Sequence, residues 1–274
     1  MEQKQVAQHE KQTERLLSPI DSPKQLILGG VTWGPSAAVL YTLVVYFISQ
    51  IIAVNLISIY PLMQHWSSDQ VTNWLQDSPV AQFFLILLIE SLVILLLHWF
   101  LKYRKTNFRA IGWNRRPIWT DIAYALAGFG AYFVGLNFVV FPLVKSIIPK
   151  LDFNQKQDLG FTTTHGSVLI LVFISLAILP PLVEETLVRG FLYTGLRAKL
   201  PKYIAALIAS IMFGAAHLEL GSGHPPLWTA AIDTFFLSLI LVYLRQKTDS
   251  LYASIGVHFL KNSLAFAALF IFHL

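Results

Sequence analysis

The chain of 274 residues contains no cysteine, and charged residues make up only 13% of it. Without cysteine, disulfide scaffolds, thiol catalysis and thiolate-bound zinc sites are excluded. Ordinary soluble domains carry roughly 25% charged residues, so the scarcity of charge argues against a soluble globule. Because 55% of the residues are hydrophobic, intrinsic disorder of the whole chain is excluded as well. The composition indicates one polytopic membrane domain.

Long apolar runs divide the chain into seven candidate membrane helices, each judged against the roughly 20 residues that a span needs. The fold is therefore predicted to be all-α, a polytopic membrane bundle of about seven transmembrane helices. The fifth run is short, and the fourth is predicted to break at Pro180 and Pro181, because proline removes a helical hydrogen bond. The predicted spans cover 36–62, 80–101, 121–148, 168–196, 203–218, 227–244 and 251–272.

Lysine and arginine are unevenly distributed over the tail and loops between these spans. The N-terminal tail and every second loop after it hold 15 of the 20 basic residues, whereas the intervening loops hold 3. Because cytoplasmic loops carry the excess of positive charge, this pattern predicts an odd number of spans and a cytoplasmic N-terminus. We expect an integral protein of a bacterial cell membrane. The net charge of +5 then reflects topology, and no nucleic-acid partner is expected.

Three regions are predicted along the chain. Residues 1–30 are polar and lack the apolar core of a signal peptide, so we expect a disordered cytoplasmic tail. Residues 31–164 hold the N-terminal membrane helices, and residues 165–274 hold the remaining ones. The basic connector 106–117 is predicted to lie at the membrane surface, where Trp113 and Trp119 fit an interfacial belt.

Ionisable side chains recur inside the predicted spans, where each costs roughly 2.5–3.5 kcal/mol on insertion scales. A simple anchor would not retain them, so they should face a wet or polar interior. We expect structural pairing for Glu90 and His98, and a helix–helix hydrogen bond for Asp233. These residues are Glu90, His98, Glu184, Glu185, Arg189, His217, Asp233, His258 and Lys261.

The two adjacent glutamates of the fourth span have different predicted roles. Glu185 and Arg189 are spaced i, i+4, which predicts an ion pair within the helix. Glu184 projects about 100° away and has no such partner, so it is available for chemistry. The proline pair would place both carboxylates in the first turn of a new helical segment, which favours negative charge. The alternative is a buried ion pair that only stabilises packing.

Two further pairs of residues lie one turn apart on later spans. Phe213 and His217 share a face of the fifth span, and His258 and Asn262 share a face of the seventh. Each pair alone is also compatible with ordinary packing or interhelical hydrogen bonds.

Together with Glu184, these side chains provide the groups needed to activate a water molecule for attack on a carbonyl group. A carboxylate takes the proton, a histidine orients the water, and histidine and asparagine stabilise the oxyanion. Glu184, His217 and His258 could instead hold a zinc ion with an open fourth position. The HExxH spacing is absent, so the sequence does not demand a metal.

The three patterns resemble the motifs EExxxR, FxxxH and HxxxN/B of the CPBP family of intramembrane proteases, also called the Abi or CAAX-protease family. The resemblance covers residues 165–274 and implies that this region is a catalytic core. It implies that Glu184 is the general base with His217, and that His258 and Asn262 form the oxyanion site. Supporting motif residues would be Glu185, Arg189 and Phe213.

The resemblance implies an intramembrane endopeptidase similar to CAAX prenyl endopeptidases, with Zn²⁺ as a possible cofactor. Its partners would be membrane lipids and a peptide or protein substrate with an apolar or lipidated segment. Two alternatives stay open from the residues alone. One is a proton-coupled transporter, since intramembrane carboxylates and histidines also build proton relays. The other is a non-catalytic membrane scaffold or bacteriocin immunity protein, whose function would survive Glu184→Gln.

Overall fold

The computed structural model describes residues 31–153, 155, 161, 166–219 and 225–273, so the predicted tail at 1–30 lies outside it. All regular structure in the described part is helical, which confirms the all-α prediction. The division of the chain at 164/165 stays a prediction. The helices are α1 (Pro35–Met63), α2 (Ser68–Asp77), α3 (Pro79–Tyr103), α4 (Trp119–Ile147), α5 (Val168–Arg197), α6 (Lys202–Ala215), α7 (Trp228–Thr248) and α8 (Tyr252–Ile271).

Six of these helices, all except α2 and α6, are long and apolar enough to cross a membrane. Their outer faces carry many exposed large apolar side chains, among them Leu40, Phe138 and Ile170. In water such surfaces would mark binding or aggregation, whereas hydrocarbon tails solvate them without penalty. The chain is therefore an integral membrane protein.

Helix α5 lies at the centre of the bundle. Every residue from Glu185 to Arg197 is buried, and the largest apolar cluster forms around Phe191, Leu192 and Tyr193. A helix that is enclosed on all sides must bury its polar side chains too, so each of them needs a protein partner. The polar motif of α5 consequently lies in the interior of the molecule.

The predicted break of this helix at Pro180 and Pro181 is wrong. Helix α5 continues through both prolines, with a π-helical turn at Ile174–Ile178 before them and another at Glu185–Leu192 after them. A π turn changes the hydrogen-bond register by one residue, which accommodates the missing donors and the ring clash of proline. The two glutamates accordingly lie in mid-helix, and the expected placement in a first helical turn does not hold.

Helix α6 has only 14 residues, about 21 Å at 1.5 Å per residue, against a hydrocarbon core of roughly 30 Å. The predicted fifth span is therefore a helix, but it is too short to cross a membrane alone. It packs tightly on α7 at Gly214, where an added Cβ would lie 2.8 Å from the carbonyl oxygen of Ala231. His217 follows the end of α6, so this short helix delivers it into the interior.

The basic segments meet at one end of the bundle, as their alternation along the chain predicts. Thr32 Oγ1 donates to the carbonyl of Arg104 at 3.1 Å. Asn114 Nδ2 donates to the carbonyl of Asp249 at 2.7 Å. These bonds join the start of α1, the connector after α3 and the α7–α8 turn. We call this the basic end.

The connector between α3 and α4 is more deeply inserted than a surface segment. Ile111 and Gly112 are buried, and Trp113 Nε1 donates to Thr186 Oγ1 at 3.1 Å. Trp113 therefore contacts α5 instead of lying at the lipid interface as predicted. Trp119 is 85% exposed, consistent with the expected interfacial position.

Candidate active site

The predicted ion pair of α5 is present at the centre of the bundle. Arg189 Nη1 lies 3.0 Å from Glu185 Oε1, and both side chains are fully buried. Either charge alone at this depth would carry a desolvation penalty of several kcal/mol, so each stabilises the other. Phe213 of α6 covers the guanidinium, with Arg189 Cζ 4.1 Å from the ring centroid. This cation–π contact adds to the stability of the pair.

His258 of α8 lies between the two glutamates. Its Nδ1 is 3.0 Å from Glu185 Oε1, and its Nε2 is 3.9 Å from Glu184 Oε2. An ionised carboxylate only accepts hydrogen bonds, so Nδ1 donates to Glu185. Glu185 thus fixes the orientation of the imidazole and directs Nε2 towards Glu184. The 3.9 Å separation is too long for a direct hydrogen bond.

Glu184 has different surroundings from its neighbour. Its side chain is 31% exposed, and its Oε2 is buried with no hydrogen-bond partner among the described residues. It lines a cavity of about 310 Å³ between α1, α5 and α6. Because Glu184 is partly exposed and borders this cavity, whereas Glu185 is fully buried and does not line it, Glu184 is the carboxylate that water or a ligand can reach.

His217 lines the same cavity as Glu184. Its Nδ1 is 2.8 Å from the carbonyl oxygen of Phe213, and because a carbonyl only accepts, Nδ1 donates there. Nε2 is then left as an acceptor. The predicted contact of the two aromatic rings is also present, with centroids 4.8 Å apart. A carboxylate and an oriented imidazole therefore border one small cavity.

Asn262 does not line that cavity, and neither does His258. Asn262 Nδ2 donates to the carbonyl of Leu176 at 2.8 Å, within the π turn that precedes the prolines. This bond joins α8 to α5 and uses one of the two N–H groups of the amide. The structure therefore brings His258 close to Glu184, while Asn262 is placed by its bond to α5.

Asp233 makes the interhelical hydrogen bond that we predicted for it. Tyr132 Oη of α4 donates to Asp233 Oδ1 at 2.6 Å, and Lys261 Nζ of α8 lies 3.5 Å from Oδ2. The contacts join α4, α7 and α8. Nothing in the sequence indicates a role for Tyr132, because a tyrosine inside an apolar run has no distinguishing pattern.

The expected pairing of Glu90 is wrong. Within the part of the chain that the structure describes, no hydrogen bond or ion pair involves its carboxylate. His98, on the same helix, stacks on Phe108 with ring centroids 6.1 Å apart. Both line a second cavity, between α3 and α5.

The described residues do not form a metal-ligand group. No three His, Asp or Glu side chains among them come close enough together to hold an ion. Of the tentative set, Glu184 and His217 share a cavity that His258 does not line. The described residues as placed do not fit a zinc ion.

The fold and the site define a class of protein: an all-helical membrane protein with a carboxylate–histidine site inside its bundle. Residues 166–264 match the family model described as type II CAAX prenyl endopeptidase Rce1-like. All three motifs fall within the matched segment, so the resemblance to the CAAX-protease family is confirmed. At the family level, the match supports a CAAX-protease-like endopeptidase embedded in a membrane. No curated protein and no solved structure matches the chain.

Proposed function

We propose that this protein is an intramembrane endopeptidase in which Glu184 and His217 activate a water molecule for attack on a peptide bond. The observation that carries the proposal is the shared cavity of these two side chains, together with the partial exposure of the Glu184 carboxylate. A general base needs a free acceptor within reach of its water. Glu185 is fully buried, bonded through Oε1 to Arg189 and His258, and does not line the cavity.

The proposed reaction consumes one water for each peptide bond. Glu184 accepts a proton as the water oxygen attacks the carbonyl carbon, and later delivers it to the leaving nitrogen. The C–N bond then breaks, and the products are a carboxylate and an amine. His217 orients the water through Nε2, because Nδ1 is held by the carbonyl of Phe213.

His258 and Asn262 are the proposed donors to the oxyanion that forms during attack. In its imidazolium form His258 donates from Nε2, and Glu185 beside Nδ1 stabilises that form as the carboxylate of a catalytic triad does. Asn262 contributes the N–H that is not used by Leu176. Such donors are typically worth 10²–10³ in kcat, as an order of magnitude.

The proposed substrate is a peptide or protein with an apolar or lipidated segment, because the site lies inside a bundle whose outer surface is suited to lipid. We propose that the basic end faces the cytoplasm, in accord with the positive-inside rule, and that the host is a bacterial cell membrane. Zn²⁺ dependence stays a prediction to be tested, because the side chains as placed do not form a ligand set.

The test is cleavage of a library of membrane-anchored peptides, with and without a lipid group, by the purified protein in lipid nanodiscs. We expect wild type to cleave, and Glu184→Gln to lower kcat/KM by roughly 10²–10⁴-fold, the usual contribution of a general base. Asp69→Asn is the matched control, a carboxylate-to-amide change at an exposed position of α2, and should cleave like wild type.

The metal content and chelator sensitivity of the same preparations separate two mechanisms. Cleavage that persists in metal-free protein supports water activation by Glu184 and His217 alone. Stoichiometric zinc whose removal abolishes cleavage would refute the metal-free mechanism. Proton flux through sealed vesicles without any peptide cleavage would refute the peptidase and favour the transporter.

A further inference from the structure

A second cavity, of about 470 Å³, lies between α3 and α5. We call it the α3 vestibule. Its polar lining comes from Glu90, Ser91 and His98 of α3, and its α5 side from Leu179 and Val183. Nothing in the proposed reaction uses this cavity, and its polar residues belong to none of the three motifs.

The polar groups of the vestibule form a path along α3. Glu90 and His98 are spaced i, i+8, with Ile94 between them, and so lie on one face of the helix. His98 is exposed and lies five residues before Tyr103, where α3 ends at the basic end. Glu90 lies 13 residues before that end, about 20 Å deeper at 1.5 Å per residue. The path therefore leads from the basic end to the middle of the bundle.

Glu90 indicates whether water or a lipid chain occupies the vestibule. No protein group among the described residues forms a hydrogen bond or ion pair with its carboxylate. A buried carboxyl group whose oxygens have no hydrogen-bond partner carries an uncompensated desolvation cost. Water in the vestibule removes that cost, whereas a lipid chain would not. Glu90 therefore favours water over a lipid chain as the occupant of the vestibule.

The inner end of the vestibule lies next to the candidate site. Val183, which lines the vestibule, directly precedes Glu184 in α5. Adjacent residues of α5 therefore line the vestibule and the 310 Å³ cavity.

We propose that the α3 vestibule is a hydrated passage from the basic end that supplies water to Glu184, with Glu90 as the residue that keeps it wet. The supply role rests on the proposed function, since hydrolysis in a bundle surrounded by lipid consumes one water per bond. The hydration itself does not depend on it. The two parts are tested by separate measurements.

The first test measures hydration with introduced thiols, which is straightforward because the chain has no cysteine of its own. Methanethiosulfonates react with the thiolate, which forms in water and not in hydrocarbon. Ser91→Cys places a thiol in the vestibule, and Leu87→Cys is a second probe there. Ala131→Cys is the control on the exposed face of α4. Ser91 and Ala131 are each 12 residues from the basic ends of their helices, at Tyr103 and Trp119.

In lipid nanodiscs, we expect Ser91→Cys and Leu87→Cys to react with a cationic methanethiosulfonate at least about tenfold faster than Ala131→Cys. Reaction of both vestibule thiols as slowly as Ala131→Cys would overturn the proposal.

The second test measures supply through kcat. Glu90→Leu removes the deepest polar group of the path, and we expect kcat about tenfold below that of Glu90→Gln, equivalent to ~1.4 kcal/mol, with KM unchanged. Equal kcat for the two variants would overturn the supply role. If the proposed function itself fails, wild type will be inactive on every peptide while the vestibule thiols still react, so the two failures are distinguishable.

Discussion

At the scale of single residues, two adjacent glutamates of α5 have different surroundings, and we propose different roles for them. Glu185 is fully buried and bonded to Arg189 and His258. Glu184 is 31% exposed and lines the 310 Å³ cavity. Because the side chains are chemically identical, the difference comes from the 100° between neighbours on a helix.

The orientation of His258 by Glu185 leads to a prediction for catalysis. We expect His258→Gln to lower kcat by roughly 10²–10³-fold, the usual effect of losing an oxyanion donor, because Nε2 no longer faces Glu184. KM should change little, since the lost interaction forms only in the transition state. Steady-state kinetics on a cleaved peptide measure both values.

His65→Gln is the control for that change, since His65 is exposed in the turn after α1 and should leave both parameters at wild-type values. A His258→Gln protein with unchanged kcat would rule out the assigned role.

The sequence predicts local pairs of residues well and distant pairs poorly. Glu185 and Arg189 are four apart, so helix geometry alone puts them in contact. His258 is 73 residues from Glu185, and Tyr132 is 101 residues from Asp233. No local pattern encodes such contacts, because the packing of whole helices decides them. The same reason explains why Glu90 was wrongly expected to have a partner.

At the scale of helices, apolar length is the informative signal and proline is the misleading one. The predicted spans coincide with observed helices to within a few residues, because a run of apolar residues must cover the hydrocarbon core. Pro180 and Pro181 were expected to break α5, but the π turn before them keeps it continuous. Hydrogen-bond register inside a helix depends on its neighbours, here including the bond from Asn262 to Leu176.

The close packing of α6 on α7 gives a second prediction. In Gly214→Ala the new Cβ would lie 2.8 Å from the backbone oxygen of Ala231, so the helices must separate. We expect a loss of about 1–3 kcal/mol in the free energy of unfolding, the range for overpacking, measured by SDS titration. Cleavage should fall too, because α6 positions His217.

Gly130→Ala is the matched control, since an added Cβ there meets nothing within 4 Å. It should keep or raise stability, by up to about 1 kcal/mol. Equal stability of the Gly214→Ala and Gly130→Ala proteins would show that the close approach of α6 and α7 is not required.

At the scale of the whole molecule, the uneven distribution of basic residues along the chain corresponds to an uneven distribution between the two ends of the bundle. The basic segments of the described chain gather at one end, held together by bonds such as that from Asn114 to Asp249. A count of lysine and arginine per loop predicts this arrangement, because alternate loops of a helical bundle emerge on the same side. The depth and contents of the cavities were not predictable, because they depend on how side chains of several helices pack.

Orientation in the membrane gives a third prediction. Arg109→Cys lies at the basic end and Gln64→Cys at the opposite end, both at exposed positions. In intact bacterial cells, an impermeant thiol reagent should label Gln64→Cys and leave Arg109→Cys unlabelled until the membrane is opened, if the basic end faces the cytoplasm as we propose from the positive-inside rule. The reverse pattern would contradict the proposed orientation.

The central claim is that Glu184 performs the chemistry while Glu185 supports the structure. The most direct measurement compares kcat/KM of Glu184→Gln with that of wild type, with the unfolding free energy measured on the same protein and on Glu185→Gln. We predict that Glu184→Gln loses roughly 10²–10⁴-fold in kcat/KM with stability unchanged within about 0.5 kcal/mol. Glu185→Gln should lose about 3 kcal/mol of stability, because Arg189 is left as an unpaired buried charge. A stable Glu184→Gln protein that cleaves peptides at the wild-type rate would contradict the account.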